Sequence, residues 1–394
     1  MNSNVGPNLL VLLKRYNLCR ICFERQLPRT IVLPAAYVTR SDKCHLCGGI
    51  MNRAGRLAKM VLRELEKYEF SSFLIGARVS TEILEREDTI RSTLKLRGNE
   101  TLKAQITRTV GEIVADVTGK NVQYHRADVL AILEPKTSTI EVLSRPLFLF
   151  GRYLKSRRGI LQRNRRCQTC SGQGCPTCLH SGWEKVKSVE NILSSALTKE
   201  FHCMEIRFSW MGSEDDNSLV QGEGRPFYAE LANPQIRSSE AAQRLTKKRL
   251  PGLSVNQLEI VDNRPEVLPP FLVKVRINIT DNGKIESERL RILKATLTNA
   301  EVHIDQPRKR KTAIKKVYWL RFRRRAPSRL ELYMLCDSGI SIRKLVGGDY
   351  GAIHPNFATI LGTSITLDED RPFDILDVIL PDSTMKAQSL YHMQ

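Results

Sequence analysis

The 394-residue sequence lacks a long apolar run, since no stretch reaches the roughly 20 residues that a membrane-spanning helix needs. Acidic residues are scarce relative to basic ones, with 42 Asp and Glu against 62 Lys and Arg and a net charge of +20. The N-terminal stretch has neither a leading positive charge nor a small-residue cleavage site. We therefore expect no signal peptide and a cytoplasmic protein. The positive surplus favours a polyanionic partner, and nucleic acid before membrane.

Hydrophobic residues make up 41% and charged residues 26% of the chain, which is typical of a soluble globular protein. Periodicity predicts a multidomain α+β fold, with helices over 52–67, 102–117, 189–201 and 238–250. Alternating patterns predict strands at 73–79, 127–133, 258–261, 272–279, 289–296, 316–323 and 330–336. We divide the chain into a small unit with a lead-out helix (1–67), a mixed α/β region (68–166), a cysteine-rich loop (167–183) and a large region (184–394).

Eight of the ten cysteines form four Cys-x-x-Cys pairs. Two pairs are separated by 21 residues and the other two by four: Cys19/Cys22 with Cys44/Cys47, and Cys167/Cys170 with Cys175/Cys178. Each set of four thiolates can close a tetrahedral site typical of structural zinc. An iron–sulfur cluster is the alternative for the first set, and a redox dithiol or disulfide for the second. Cys203 and Cys336 are interpreted as ordinary buried cysteines.

The segment 211–234 carries the strongest local pattern. Three acidic residues at 214–216 follow Gly212, and Gly222 and Gly224 then flank one residue before an Arg-Pro-Phe sequence. The glycines predict a tight turn and a close approach, followed by a strand over 227–231. A solvated acidic loop is the alternative interpretation.

Two segments are densely basic. Residues 152–166 contain seven Lys or Arg, and ten of the twenty residues at 306–325 are basic. The first can be a solvated surface or a phosphate-contacting edge. The density of the second indicates an arm or hairpin that contacts a nucleic acid backbone.

Taken together and in this order, the motifs resemble the archaeal tRNA pseudouridine synthases that modify T-loop uridines at tRNA positions 54 and 55. The resemblance covers nearly the whole chain. The family's Gly-Arg-Glu-Asp loop and Gly-x-Gly-Arg-Pro-Phe segment are met by 212–215 and 222–227, and its Phe-x-Tyr-Gly-Arg-Tyr segment by 148–153. Its compact cysteine loop is met by 167–178, and its Gln-x-x-Pro-x-Arg stretch appears at 306–310 with the order compressed. Its C-terminal Gly-x-Tyr-Ile-Lys/Arg segment is met by 339–343.

The resemblance implies an N-terminal zinc-binding, THUMP-like α/β module ahead of a pseudouridine synthase domain with a mixed, largely antiparallel sheet. It assigns catalysis to Asp215, beside Arg343 as the cation that favours the ionised carboxylate. It further implies no catalytic cofactor, structural zinc on the eight paired cysteines, and a monomer that binds the tRNA T-arm. Substrate-binding roles fall on Gly212, Gly222, Gly224, Arg225, Phe227, Val275, Ser341 and Arg152.

The sequence departs from the family at several site positions. Ser213 stands in place of an arginine, and Val275 and Ser341 stand in place of tyrosines. These departures leave a catalytically decayed tRNA-binding protein of the same architecture as the alternative. A methyltransferase or thiouridine synthase is disfavoured because no glycine-rich cofactor loop, P-loop or PP-loop is found. A zinc deaminase is disfavoured because its His-x-Glu motif is missing.

Overall fold

The computed structural model describes residues 14–27, 38–96, 100–281, 285–306, 311–326, 329–363 and 365–381. The chain forms two compact units, Met1–Pro146 with Ala232–Arg237 and Leu147–Leu231 with Ser238–Gln394. The finer four-part division stays a prediction. Positions 307–310 of the basic segment lie outside the described residues. Within the described ranges, no helix has the length and apolar character needed to cross a bilayer.

The first unit packs helices on one small sheet. Its helices are α1 (Arg20–Gln26), α2 (Ala54–Leu65), α3 (Thr81–Thr93) and α4 (Leu102–Thr118), and its strands are β1 (Ser72–Ala77), β2 (Asn121–Val122), β3 (Val129–Glu134) and β4 (Thr139–Ser144). The strand order is β2-β1-β3-β4, with β1 parallel to both β2 and β3 and β4 antiparallel to β3.

Helix α4 shows why the sequence forms this element. Its buried apolar residues recur every four positions, at Ile106, Val110 and Val114, and so form a stripe facing the core. The Thr101 side chain caps the start by accepting a hydrogen bond from Ala104 N (3.1 Å). The helix ends at Gly119, whose φ of +66° is the left-handed conformation that favours glycine.

The second unit is built on an eleven-stranded sheet. Its strands are β5 (Leu147–Lys155), β6 (Glu205–Trp210), β7 (Val220–Ala232), β8 (Leu253–Val261), β9 (Leu272–Asp281), β10 (Ala300–Gln306), β11 (Lys311–Ala326), β12 (Arg329–Asp337), β13 (Ile353–His354), β14 (Ile365–Leu367) and β15 (Phe373–Ile379). Its helices are α5 (Val189–Phe201), α6 (Ser239–Thr246), α7 (Ser287–Leu297), α8 (Ile342–Gly347) and α9 (Phe357–Leu361).

Near its centre, this sheet has a junction where strands β15 and β7 lie side by side. The order is β13-β10-β11-β12-β9-β15-β7-β5-β8, with β14 beside β9 and β6 beside β7. Strands β15 and β7 are parallel and are joined by the single pair Ile375–Val220, whereas the other neighbours along this path are antiparallel. The predicted mixed, largely antiparallel sheet is confirmed. The loop 211–219, which carries the acidic residues, enters β7 at this junction.

Two local expectations were wrong. Residues 289–296, predicted as a strand, lie in helix α7, where Leu290, Leu293 and Leu297 recur at helical spacing and are buried. The short apolar pattern fits both the two-residue period of a strand and the 3.6-residue period of a helix. Packing of this segment against β11 favours the helix. Gly222 and Gly224, predicted to form a tight turn, lie inside β7, where the pairing with β5 shifts register between Tyr153 and Lys155. Their positive φ angles of 62° and 87° accommodate this irregularity.

Candidate active site

A pocket of about 260 Å³ opens above the central junction of the second unit. It is lined by the loop 212–215, the start of β9, the segment 336–343 that leads into α8, and β15. Four of the predicted site residues besides the catalytic pair line it: Gly212, Arg225, Val275 and Ser341. Segments far apart in sequence therefore meet around one carboxylate.

Asp215 and Arg343 form the ion pair of this pocket. Arg343 donates from Nε to Asp215 Oδ2 over 2.8 Å, and its Nη2 donates to the same oxygen. The other oxygen, Oδ1, accepts the backbone N–H of Asn217 at 3.1 Å. The Asp215 side chain is 15% exposed and that of Arg343 is 59% exposed. The carboxylate is thus largely enclosed, while its cation remains open to solvent.

Gly212 and Arg225 occupy the same corner of the pocket. The φ of Gly212 is +83°, and a Cβ at this position would collide with Arg225 Nη1. Only glycine fits there without displacing the guanidinium. Arg225 itself is 1% exposed, although the pocket reaches it. Its contact with a substrate stays a prediction.

Four other predicted substrate-binding residues do not line the pocket. A Cβ on Gly222 would lie 2.5 Å from Leu376 O, and one on Gly224 would lie 2.8 Å from Tyr153 O. Phe227 is fully buried among aromatic rings. Arg152 donates to the carbonyls of Gly224 (3.2 Å) and Val378 (2.9 Å). All four belong to the sheet around β5 and β7, and their roles in substrate binding stay predictions.

The structure adds pocket residues that sequence reasoning did not assign to the site. Phe271 and Phe373 bring aromatic rings to the pocket, and Cys336 and Asp337 border it. Burial raises the pKa of Cys336 to about 12, so this thiol stays protonated at neutral pH. No local sequence pattern marks these positions, because they reach the pocket only through pairing of β9, β12 and β15.

Buried charges also surround the loop and were missed as well. Glu214, Lys155 and Asp374 have fully buried side chains. Burial raises the pKa of Asp374, but hydrogen bonds from Arg158 and Arg276 outweigh that effect and leave the pKa below its usual value. Asp374 is therefore ionised at neutral pH.

The first cysteine cluster, Cys19, Cys22, Cys44 and Cys47, has the geometry of a metal site. Its four sulfur atoms lie within 4.8 Å of one another, and Cys19 Sγ is 3.8 Å from Cys47 Sγ. Sulfurs about 2.3 Å from a central zinc would be separated by about 3.8 Å in a tetrahedron. The close grouping fits one ion better than a cluster of several metals. These residues would hold structural zinc.

The second cluster also has the geometry of a zinc site. It consists of Cys167, Cys170, Cys175 and Cys178. Sulfur–sulfur distances of 3.7, 3.8 and 3.9 Å join its members, which are free cysteines and not disulfides. Backbone N–H groups of Gly174 and Gly182 point at the sulfurs over 3.2 and 3.3 Å. Such donors stabilise thiolates, as expected for metal ligands.

Comparison with known proteins agrees with this architecture. The family model described as "Pus10, C-terminal" matches residues 148–379, more than half of the chain. The model described as "Pus10 THUMP domain, archaeal" matches residues 57–134. The chain is an isomerase of the pseudouridine synthase class, with a THUMP domain ahead of the synthase domain. It belongs to the Pus10 family.

Similar curated proteins span almost the same length. The tRNA pseudouridine synthase Pus10 of Korarchaeum cryptofilum is 31% identical, covering 86% of this chain and 93% of its own. The protein of the same name from Nitrosopumilus maritimus is 28% identical, covering 93% and 96%. Among solved structures, one chain of a Cbf5-Nop10-Gar1 complex aligns at 10% identity and a TM-score of 0.30, covering 59% of this chain and 60% of that one. That likeness is too distant to carry an argument.

Proposed function

We propose that this protein isomerises a uridine in the tRNA T-loop, at position 55 and/or 54, with Asp215 as the catalytic residue and without a catalytic cofactor. The observation that carries the proposal is the enclosed Asp215–Arg343 pair in the pocket at the central junction of the sheet. The relatives named tRNA pseudouridine synthase Pus10 support the choice of tRNA.

The reaction suits a single carboxylate. The glycosidic C–N bond of uridine breaks, the base turns, and its C5 forms a new C–C bond to the sugar. The C5 proton leaves and N1 gains one, so atoms and charge balance without an oxidant. Asp215 would either attack the sugar or the ring, or accept a sugar proton. Arg343 would orient the carboxylate through its hydrogen bonds to Oδ2.

The uridine must leave its stack before the carboxylate can reach it, at a cost of a few kcal/mol. The ring of Phe271 lines the pocket on the same side as Gly212, whose hypothetical Cβ would lie 3.3 Å from it. We propose that Phe271 packs against the extruded base in place of the tyrosine that Val275 replaces. Base–aromatic contact would offset part of the extrusion cost.

A basic and aromatic surface supports RNA binding by the second unit. On strands β11 and β9, Lys274 Nζ and the Arg321 guanidinium lie 5.9 and 5.6 Å from the centre of the Trp319 ring. Lys274, Arg321 and the neighbouring Arg323 are exposed. We propose that this surface contacts the tRNA backbone, together with the THUMP domain, and that the protein acts as a cytoplasmic monomer.

Pseudouridine mapping of an unmodified tRNA transcript tests the catalytic proposal. We expect the parent protein to convert a T-loop uridine without added cofactor and Asp215→Asn to lose at least about a hundredfold in rate. Binding of the tRNA should persist in Asp215→Asn. Transcripts with cytidine at position 54 or 55 identify the target.

Asp216→Asn is the matched control, because Asp216 is the next carboxylate in the loop and its side chain is 50% exposed. It should retain most of the rate. Equal activity of Asp215→Asn and the parent protein would overturn the role of Asp215. Tight tRNA binding without conversion by the parent protein would favour the binding-only alternative.

A further inference from the structure

Glu214 belongs to the loop that lines the pocket, and its carboxylate is held in a buried cluster of cations. Its Oε2 accepts hydrogen bonds from Arg225 Nε (3.0 Å) and from the Tyr153 hydroxyl (2.9 Å). Its Oε1 lies 3.1 Å from Lys155 Nζ. The side chains of Glu214 and Lys155 are fully buried and that of Arg225 is 2% exposed. The carboxylate of Glu214 is thus bound inside the protein, whereas that of the next residue, Asp215, is partly exposed at the pocket.

The cations of this cluster also bind the backbone of the loop. Lys155 Nζ donates to the carbonyls of Ile160 (3.0 Å), Asp215 (3.0 Å) and Asp216 (3.3 Å). The Lys155 ammonium therefore donates its protons to main-chain oxygens, and its contact with Glu214 is an ion pair and not a hydrogen bond. Arg225 Nη1 donates to Met211 O over 2.9 Å. Glu214 therefore holds in place the two cations that fix the loop on both sides of Asp215.

A second buried carboxylate holds the far end of the loop. Asp374 of β15 accepts the backbone N–H of Leu219 at 2.8 Å, and Ile375 N donates to Leu219 O at 2.9 Å. Arg158 donates to both Asp374 oxygens, at 2.7 and 3.0 Å, and also donates to Asn217 O. Arg276 contacts Asp374 at 2.5 Å. The loop therefore ends in a second set of buried charges.

Stability alone does not account for this arrangement. Burying charged groups costs desolvation energy that roughly offsets their attraction, and apolar replacements are often as stable. Charged hydrogen bonds are, however, directional, so they restrict a loop to one geometry. A reacting carboxylate needs such restriction, because a misplacement of about 1 Å can cost about a hundredfold in rate.

We propose that Glu214 and Asp374 are positioning residues, which fix the two ends of the loop 211–219 so that the Asp215 carboxylate is presented to the pocket. The inference rests on the proposed role of Asp215. Both side chains are fully buried and bound by protein groups, although Glu214 belongs to the loop that lines the pocket. Both act through the loop backbone, Glu214 by way of Lys155 and Arg225, and Asp374 by way of Leu219 and Arg158.

Steady-state kinetics of Glu214→Gln and Asp374→Asn on the tRNA transcript test this inference. Both replacements keep the shape and remove the charge. We expect kcat to fall about a hundredfold in each variant, with KM for tRNA within about threefold of the parent value, because the loop is displaced while the tRNA surface is intact. The thermal midpoint should fall in both variants, because each leaves buried cations without their carboxylate. Below that midpoint, where the variants are folded, hydrogen–deuterium exchange should rise in the peptide covering 211–219 more than in the rest of the chain.

Glu200→Gln is the matched control. Glu200 is also a shielded carboxylate bound by two cations, Arg244 and Lys248, at 3.1 and 3.2 Å, but it lies on α5 and not at the loop. It should leave kcat unchanged. If Glu214→Gln does not fold, Tyr153→Phe is the milder variant. It removes the hydrogen bond to Glu214 and the one that Gln162 Nε2 donates to the same hydroxyl (3.1 Å), and it should lower kcat about tenfold.

The outcomes separate the two proposals. An inactive parent protein contradicts the proposed function. An active parent protein with unchanged kcat in both charge-removing variants overturns the positioning role. A kcat loss that matches only the loss of folded protein, with no local change in exchange at 211–219, also overturns it.

Discussion

The two cysteine clusters contain the same ligands but differ in what surrounds them. All four cysteines of the first cluster are 4% exposed or less and belong to the hydrophobic core of the first unit. In the second cluster, Cys170 and Cys175 are only half-buried, and neighbouring Leu179 is 70% exposed. The first cluster is part of a core, whereas the second closes a surface loop.

The difference follows from ligand spacing. The pairs of the first cluster are 21 residues apart, so folded structure must bring them together. The pairs of the second are four residues apart, and Gly172 and Gly174, with φ of 98° and 92°, suffice to reverse the chain. Metal at the first cluster should therefore support the unit, and metal at the second should support only its own loop.

Loss of the first metal should have the largest effect. We expect Cys22→Ser to leave the first unit unfolded or loosely packed, because a structural zinc site in a small unit can contribute on the order of 10 kcal/mol to folding. Circular dichroism and metal analysis would measure the loss of helix together with that of one metal ion. Cys203→Ser, at a buried cysteine outside both clusters, should change neither. A cooperative, parent-like thermal transition in Cys22→Ser would show that the first unit folds without metal at the first cluster, and the two clusters would then not differ in their effect on folding.

A smaller effect is expected from the buried ion pair beside the first cluster. Arg25 donates to Cys22 Sγ (3.6 Å) and to Glu87 (2.9 Å), and the side chains of Arg25 and Glu87 are 0% and 2% exposed. Glu87→Gln leaves the arginine charge buried without its carboxylate, so we expect a loss of about 3–5 kcal/mol in unfolding free energy. Urea titration measures it.

The control for this prediction is Glu112→Gln, which disrupts an exposed pair with Arg108. It should change the unfolding free energy by less than about 1 kcal/mol. Similar losses in both variants would show that burial beside the first cluster confers no special dependence on charge.

The smallest effect is expected at the second cluster. Cys170→Ser should release its metal but lower the unfolding free energy by only about 1–3 kcal/mol, because the loop carries little of the core. Metal analysis and thermal unfolding would be compared with Cys22→Ser in the same buffer. Destabilisation as large as that of Cys22→Ser would show that the surface cluster is equally important for folding.

Local patterns predicted a good part of this protein. The spacing of cysteines predicted both groups of four sulfurs that the structure brings together. Apolar periodicity placed α5 at Val189–Phe201 and α4 within one residue of its observed end. Resemblance over the loop at 212–215 also singled out Asp215, which the structure pairs with Arg343. The helices were placed correctly because their apolar residues lie on one helix face. The catalytic role of Asp215 and metal binding by the cysteines stay predictions.

Prediction was weaker where two local structures fit one pattern. The apolar residues of 289–296 fit the alternation of a strand roughly and the spacing of a helix equally well. Only the burial of Leu290, Leu293 and Leu297 on one face distinguishes the helix from the strand. The motif around Arg225 did not indicate that its Nε and Nη1 bind Glu214 and Met211 within the protein. Arg225 also lines the pocket, and its contact with a substrate stays a prediction.

By itself, the sequence determined the positive charge and the order of most helices and strands. It also indicated the two groups of cysteines that could hold a metal and the candidate catalytic carboxylate. Only the tertiary structure decided which side chains surround that carboxylate. Arg343 lies 128 residues from Asp215, and Asp374 lies 216 residues from Arg158. Local propensity depends on neighbours a few residues away, whereas these contacts exist only because sheet pairing brings β5, β7, β9 and β15 together.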